Sequence, residues 1–211
     1  MRARKPAGSR RREIVEAALK VIAEQGLTRF TALAIAREVG VSDAALFRHF
    51  PTKEAIVLAA IERVEEMLFE DFPPPDADPL DRLGRFFERR VSVIRANPGV
   101  ARLVASEQLA QAGSPEGVAR VAAIRRRSQS FVRQTLAEAH RQGLLSEDLD
   151  PDAAAVLVLG SLLALAHQGY GSPAPAGLPR RVWRALDRAL RCPERAPDRA
   201  RRIERKEVVE E

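Results

Sequence analysis

The chain has one cysteine, Cys192. A disulfide within the chain is therefore excluded, and a lone thiol suits a reducing cytoplasm. Aromatic residues make up only 5%, and runs of β-branched residues are few, which argues against a sheet protein. No apolar run reaches the length of about 18 residues that a membrane span needs. The longest, residues 153–166, is interrupted by Gly160 and Ser161. The basic first residues lead into no apolar segment of signal-peptide type, so neither export nor a membrane partner is expected. The three histidines, His49, His140 and His167, lie far apart, and none has a second histidine four residues away. No metal site is expected from them. A nucleophile elbow and a glycine-rich phosphate loop are also missing, and with them any expectation of catalysis or of a cofactor.

Helix-forming material fills the space these absences leave. The 211 residues are 45% hydrophobic, enough to build the core of one large or two small domains. Proline and glycine gather in clusters, as in an all-α chain with defined breaks. Charge is unevenly placed. Residues 1–53 hold eleven Lys or Arg against five Asp or Glu, a surplus of six that equals the net charge of +6 for the whole chain. A basic head on a neutral body suits a polyanion, because neutralised phosphates supply most non-specific affinity for DNA. Solvated arginine on a helical surface is the plainer reading of the same charge.

Residues 31–53, TALAIAREVGVSDAALFRHFPTK, show what the head is. Thr31 is placed to cap a helix over 32–39, Gly40 to end it, and Ser42 to cap a second over 43–50. Leu33, Ile35, Ala36 and Val39 predict a buried stripe on the first; Ala45, Leu46 and Phe50 predict one on the second. Two helices joined by a short glycine turn form the unit that sets its second helix in a DNA major groove. The longer run GLTRFTALAIAREVGVSDAALFRHFPTKEAI resembles the N-terminal signature of TetR-type transcriptional repressors. Gly26, Thr31, Ile35-Ala36, Gly40-Val41-Ser42, Phe47-Arg48-His49-Phe50 and Lys53 carry the resemblance, which covers about the first quarter of the chain.

Nine helices are expected, three in the head and six in the body. A helix over about 10–25 carries Ile14, Ala17, Ala18, Val21 and Ile22 on one face. A fourth, from Lys53 to about residue 70, stops at Phe72-Pro73-Pro74-Pro75. Asp78-Pro79, Asn97-Pro98, Ser114-Pro115 and Asp150-Pro151 each read as a cap followed by a first-turn proline. They open helices over 79–96, 98–109, 115–142 and one from 151 whose apolar residues cover nearly its whole circumference. Such a helix must be buried on most sides, so a partner subunit is expected. A last helix with Val182, Trp183, Leu186 and Leu190 ends at Pro193. The divisions expected are a DNA-binding domain over 1–53, a ligand-binding and dimerisation domain over 54–193, and a charged, mobile tail over 194–211.

On the reading helix, Asp43, Ala44, Ala45 and Arg48 are placed to face base edges. Arg48 can bond guanine O6 and N7 in bidentate fashion, or hold a phosphate. Ala44 and Ala45 can approach a thymine methyl, or simply support the helix. Asp43 can stabilise its own helix start or accept from a cytosine amine. The resemblance further implies phosphate contacts from His49, Lys53 and the start of the first helix near Thr31, and Ser42 is also counted among the DNA-binding residues. Position 47 is usually a tyrosine in the family; here Phe47 lacks the hydroxyl. The basic arm, Arg2 to Arg12, either adds phosphate or minor-groove contacts or takes little part.

The resemblance also implies a homodimer on a palindromic operator, made by the last two helices as a four-helix bundle, with Leu159, Leu162, Leu163, Trp183, Leu186 and Leu190 at the interface. It implies an effector pocket in the body, for which Phe86, Phe87, Ile94, Leu103, Val104 and Phe131 are candidates, each equally explained as core. Arg125-Arg126-Arg127 reads as a solvated face or as the source of one anion-binding arginine. The function expected is a cytoplasmic repressor released by a small molecule. The alternative is a ligandless DNA-binding protein that works through a protein partner.

Overall fold

Residues 7–27, 29–105, 114–167 and 177–192 are described by the computed structural model of the chain. Among them are nine helices and no strand. They are α1 (Ala7–Gln25), α2 (Ala32–Val39), α3 (Asp43–His49), α4 (Lys53–Phe69), α5 (Pro79–Ala96), α6 (Pro98–Ala105), α7 (Pro115–Arg141), α8 (Pro151–His167) and α9 (Leu178–Leu190). The all-α expectation is borne out. Expectations for Leu109, the arm over 1–6, the side chain of His167, the loop over 172–176 and the tail beyond Cys192 lie outside the described residues.

Most caps fall where the sequence put them; Asn97 instead donates its Nδ2 to Val93 O at 2.9 Å and closes α5. Thr31, Ser42 and Thr52 accept from Ala34 N, Ala45 N and Ala55 N at 3.1–3.2 Å. Asp78 accepts from Leu80 N at 2.7 Å and Asp81 N at 3.0 Å. Each satisfies helix-start donors that have no partner within the helix. Gly40 ends α2 at φ 74°, a left-handed conformation that costs a residue without Cβ almost nothing.

Two apolar clusters result. The first joins α1 to α4 and also takes in Val100 and Leu103 of α6 and Val121 and Ile124 of α7. The second is built from α5, the later turns of α7, α8 and α9. Packing therefore does not divide at residue 53. The buried face of α4, from Ile56 to Leu68, continues the head's core into the body, and α6 closes against it. Gly99 explains the closeness of α6: a Cβ there would lie 2.3 Å from the carbonyl oxygen of Leu19 in α1. Ion pairs lace the same elements, Lys20 to Glu38 at 2.7 Å, Arg63 to Glu16 at 3.0 Å, and Arg120 to Glu62 and Glu65 at 3.0 and 2.7 Å.

The C-terminal end is fastened by Arg191, which is buried. Its guanidinium reaches Asp78 at 3.0 Å, Asp81 at 2.7 Å and Asp187 at 2.8 Å. An antiparallel bridge pairs the same residue with Leu145. Ser146 N donates to Leu190 O, and Cys192 N to Leu144 O, both at 2.9 Å.

Candidate nucleic-acid interface and body cavity

A seven-residue helix has little room to serve both core and ligand, and α3 separates the two by face. Leu46 is fully buried, and Phe50, just past its end, nearly so. Asp43, Ala44, Phe47 and Arg48 are exposed, at the i, i+1, i+4, i+5 spacing of one helical side. Ala45 is half-buried, as a residue between the faces should be. Among the described residues no carboxylate pairs with Arg48, so its guanidinium is available to a ligand. Phe47 is 41% exposed and shares this side. Ser42 and Thr31, the two caps, are exposed, while His49 and Lys53 are half-buried. Lys53 Nζ lies 5.7 Å from the ring centre of Phe30.

Two head expectations change. Leu33 is 48% exposed rather than part of the buried stripe. At about 100° per residue it falls some 110° from the centre of the arc set by Ile35, Ala36 and Val39. The arm is also partly engaged in structure. Arg11 donates to the carbonyl of His49 and stacks 4.1 Å from the Phe50 ring centre, closing the C-terminal end of α3. Arg10 pairs with Glu13 at 2.7 Å. Nothing in the local sequence marks Arg11, because its hydrogen-bond acceptor lies 38 residues away.

The body holds a cavity of about 540 Å³ between α4, α5, α6, α7 and α8. Of the candidate lining residues, Phe86, Ile94 and Val104 border it. Phe87 and Leu103 do not; both are fully buried, Phe87 with its ring 5.5 Å from that of Trp183. Phe131 joins an aromatic cluster, 4.8 Å from both Phe72 and Phe86. Leu159, Leu162 and Leu163, assigned to the subunit interface, border the cavity as well. Trp183 and Leu190 are buried in the chain's own core, because α9 packs its stripe onto α5 and α8. Leu186 is half-buried. A wider groove of about 1210 Å³ lies by α5 and the start of α9, where Arg85 holds Asp76 at 2.6 Å, Arg89 holds Glu70 at 2.8 Å and Arg180 holds Glu88 at 3.6 Å.

Arg90 is the cavity residue that the pattern concealed. It lines the space, is 5% exposed, and its Nη2 has no hydrogen-bond partner. Burial, and then the neighbouring charge of Arg127, push its guanidinium down to about 10. Its place in sequence carried a signal: Leu83, Phe86, Phe87, Arg90 and Ile94 share one helical stripe, so a charge falls among apolar residues. Of the arginine run, Arg125 lines the cavity and is fixed by its Nε to Val104 O at 2.8 Å, while Arg127 lies 4.0 Å from the Phe69 ring centre.

Along α8, Val156, Leu157 and Leu163 are 69%, 50% and 54% exposed, with Gly160 and Ala164 on the same side. No helix among the described residues is long and apolar enough to cross a membrane. Among those residues no three His, Cys, Asp or Glu side chains converge as metal ligands.

Known proteins share this arrangement. Residues 14–60 match the model of bacterial regulatory proteins of the tetR family, and residues 76–167 match the tetracyclin repressor-like C-terminal domain. The nucleoid occlusion factor SlmA of Marinomonas sp. (strain MWYL1) is 31% identical over 140 residues, covering 64% of this chain and 70% of that protein. Against other SlmA proteins the chain spans about half their length. Among solved structures, the ketosteroid transcriptional regulator KstR2 of Mycobacterium tuberculosis superposes with a TM-score of 0.75 at 22% identity, covering 87% of this chain and 95% of that one. PfmR, a TetR family transcriptional regulator from Thermus thermophilus, gives 0.68 at 26% identity, with 83% and 94% covered. With both halves matched in order and the helix-turn-helix in place, the chain belongs to the TetR family of bacterial regulatory proteins.

Proposed function

We propose that this chain is a cytoplasmic, sequence-specific DNA-binding transcriptional regulator. It acts as a homodimer on a palindromic operator and is released by a small molecule held in the body cavity. The observation that carries the reading is the outer face of α3, where Arg48 stands exposed beside Ala44 and Phe47 with the fold's own contacts confined to the opposite side. A guanidinium so placed suits guanine recognition, and the caps Thr31 and Ser42 with His49 and Lys53 surround it as phosphate contacts. The release mechanism draws on α6. Val100, Ala101 and Val104 of that helix line the cavity, and its Gly99 rests on the backbone of α1. A ligand that moves α6 thereby biases the head between two orientations.

The rival is a ligandless DNA-binding protein acting through a protein partner; the SlmA relatives are named nucleoid occlusion factors. The cavity favours the regulator, since the rival calls for a filled body. Selection from random duplexes tests both readings. A two-fold symmetric site bound at least ~10³-fold more tightly than random DNA is expected. Equal affinity for every duplex would exclude the proposed function.

A further inference from the structure

We infer that the body cavity is a receptor for a carboxylate with an apolar body, and that Arg90 is the residue that binds its head. The inference rests on the effector reading and gives that effector a chemical class. Arg90 is almost wholly buried, lines the cavity, and has an Nη2 without a hydrogen-bond partner. No carboxylate lies within ion-pair distance of it among the described residues. Its guanidinium sits instead over two rings, 4.8 Å from the centre of Phe69 and 4.9 Å from that of Phe86. Ring faces attract a cation but offer no acceptor to its N–H groups. Arg127 lies over Phe69 too, and Arg125 borders the same space, so the neighbouring charges repel rather than compensate.

A buried charge left in this state costs stability that a hydrophobic residue in its place would not. Water can satisfy the free N–H but leaves the charge uncompensated. An anionic head does both. The rest of the wall sets the other end of the ligand: Leu68, Ile94, Val100, Val104, Leu159 and Leu162 are all apolar. A space of about 540 Å³ falls within the range of sites for small organic molecules. Of the other polar groups in the lining, Gln129 is an exposed neutral amide, Ser128 Oγ donates to Ile124 O at 3.0 Å and Arg125 is held on Val104 O, which leaves Arg90 as the buried unpaired cation.

Sodium decanoate, methyl decanoate, decylamine and decanoyl-coenzyme A are the probes. Each is titrated calorimetrically against the full-length wild type, Arg90→Met and Arg90→Lys, with thermal melting followed in parallel. Decanoate is expected to bind at least tenfold more tightly than its methyl ester or the amine. Arg90→Met is expected to weaken decanoate at least tenfold, and Arg90→Lys less. Without ligand, Arg90→Met is expected to melt higher than wild type by about 2–6 °C, which also shows that it folds. Equal binding of acid and ester, or undiminished binding to Arg90→Met, overturns the assignment. So does binding of the coenzyme A thioester alone, which would place the anionic recognition on the nucleotide. Specific DNA binding by ligand-free wild type is measured alongside. If it persists while decanoate fails, the ligand class falls and the regulator stands; if no duplex is preferred, the regulator reading itself falls.

Discussion

Arg48 and Phe47 sit one residue apart on the outside of α3 and differ in what they can read. Arg48 carries a charge and five donors; Phe47 carries neither. Arg48→Ala should weaken binding to the operator by ~1–3 kcal/mol beyond any loss on random duplex, if its fork bonds guanine O6 and N7. Fluorescence anisotropy on both DNAs separates the cases, and an equal loss on each would reduce Arg48 to a phosphate contact. Phe47→Tyr works in the opposite direction. The ring is 41% exposed on the reading side, so a new hydroxyl points outward rather than into the head's core. A bond to a phosphate oxygen in this exposed setting should add about 1 kcal/mol per head. Phosphates carry no base information, so the gain should appear on specific and random DNA alike. A neutral hydroxyl displaces no counterion, so the slope of affinity against salt should stay where it is. No gain on either duplex would show that the ring does not meet the backbone.

At the scale of elements, α9 is held by apolar packing and by one buried cation. Burial by itself opposes ionisation of Asp78, but the Arg191 hydrogen bonds and the α5 backbone N–H groups outweigh it and hold the carboxyl below its ordinary range. A carboxyl lowered in the folded state contributes stability that is fully present above its unfolded value, about 3.9, and lost as pH falls through the folded value. Arg191→Met should therefore cost ~1–3 kcal/mol near neutrality, where three carboxylates lose a charged donor. Urea titrations should show the gap between the two proteins closing below about pH 4. A gap that stayed constant into strong acid would assign the loss to packing. The helix starts around these residues were legible in the sequence because caps and first-turn prolines act over a few residues. The same holds for the turn before α3, where Gly40 ends α2 and Ser42 starts α3 locally. Leu33 was misplaced because a spacing rule marks a stripe but not its angular width. Arg11, Arg90 and Arg191 escaped because their roles depend on distant elements, as far as 113 residues away for Arg191 and Asp78. A lone arginine looks alike on a surface and in a core. Arg90 alone left a trace, as a charge on an apolar stripe.

For the whole molecule, the exposed side of α8 is the strongest argument for a twin. Val156, Leu157 and Leu163 together bare more apolar surface than a solvated helix needs. Val156→Glu, the most exposed of these positions, places a carboxylate where the second copy should lie. Sedimentation should find monomer or aggregate in place of dimer. A stable, unaltered dimer would move the interface elsewhere. Such a twin doubles whatever α3 reads, and the division of α3 into two faces has a bearing on descent. Leu46 and Phe50 answer to the fold, whereas Asp43, Ala44, Phe47 and Arg48 are exposed on the opposite side. On the function proposed above, a change of codon on the outer side alters which operator is recognised at little risk to folding. Lineages of this protein are free to exchange one target for another by single steps, each through a stable intermediate, while Gly99 admits no such traffic, because every other side chain there meets the backbone of α1.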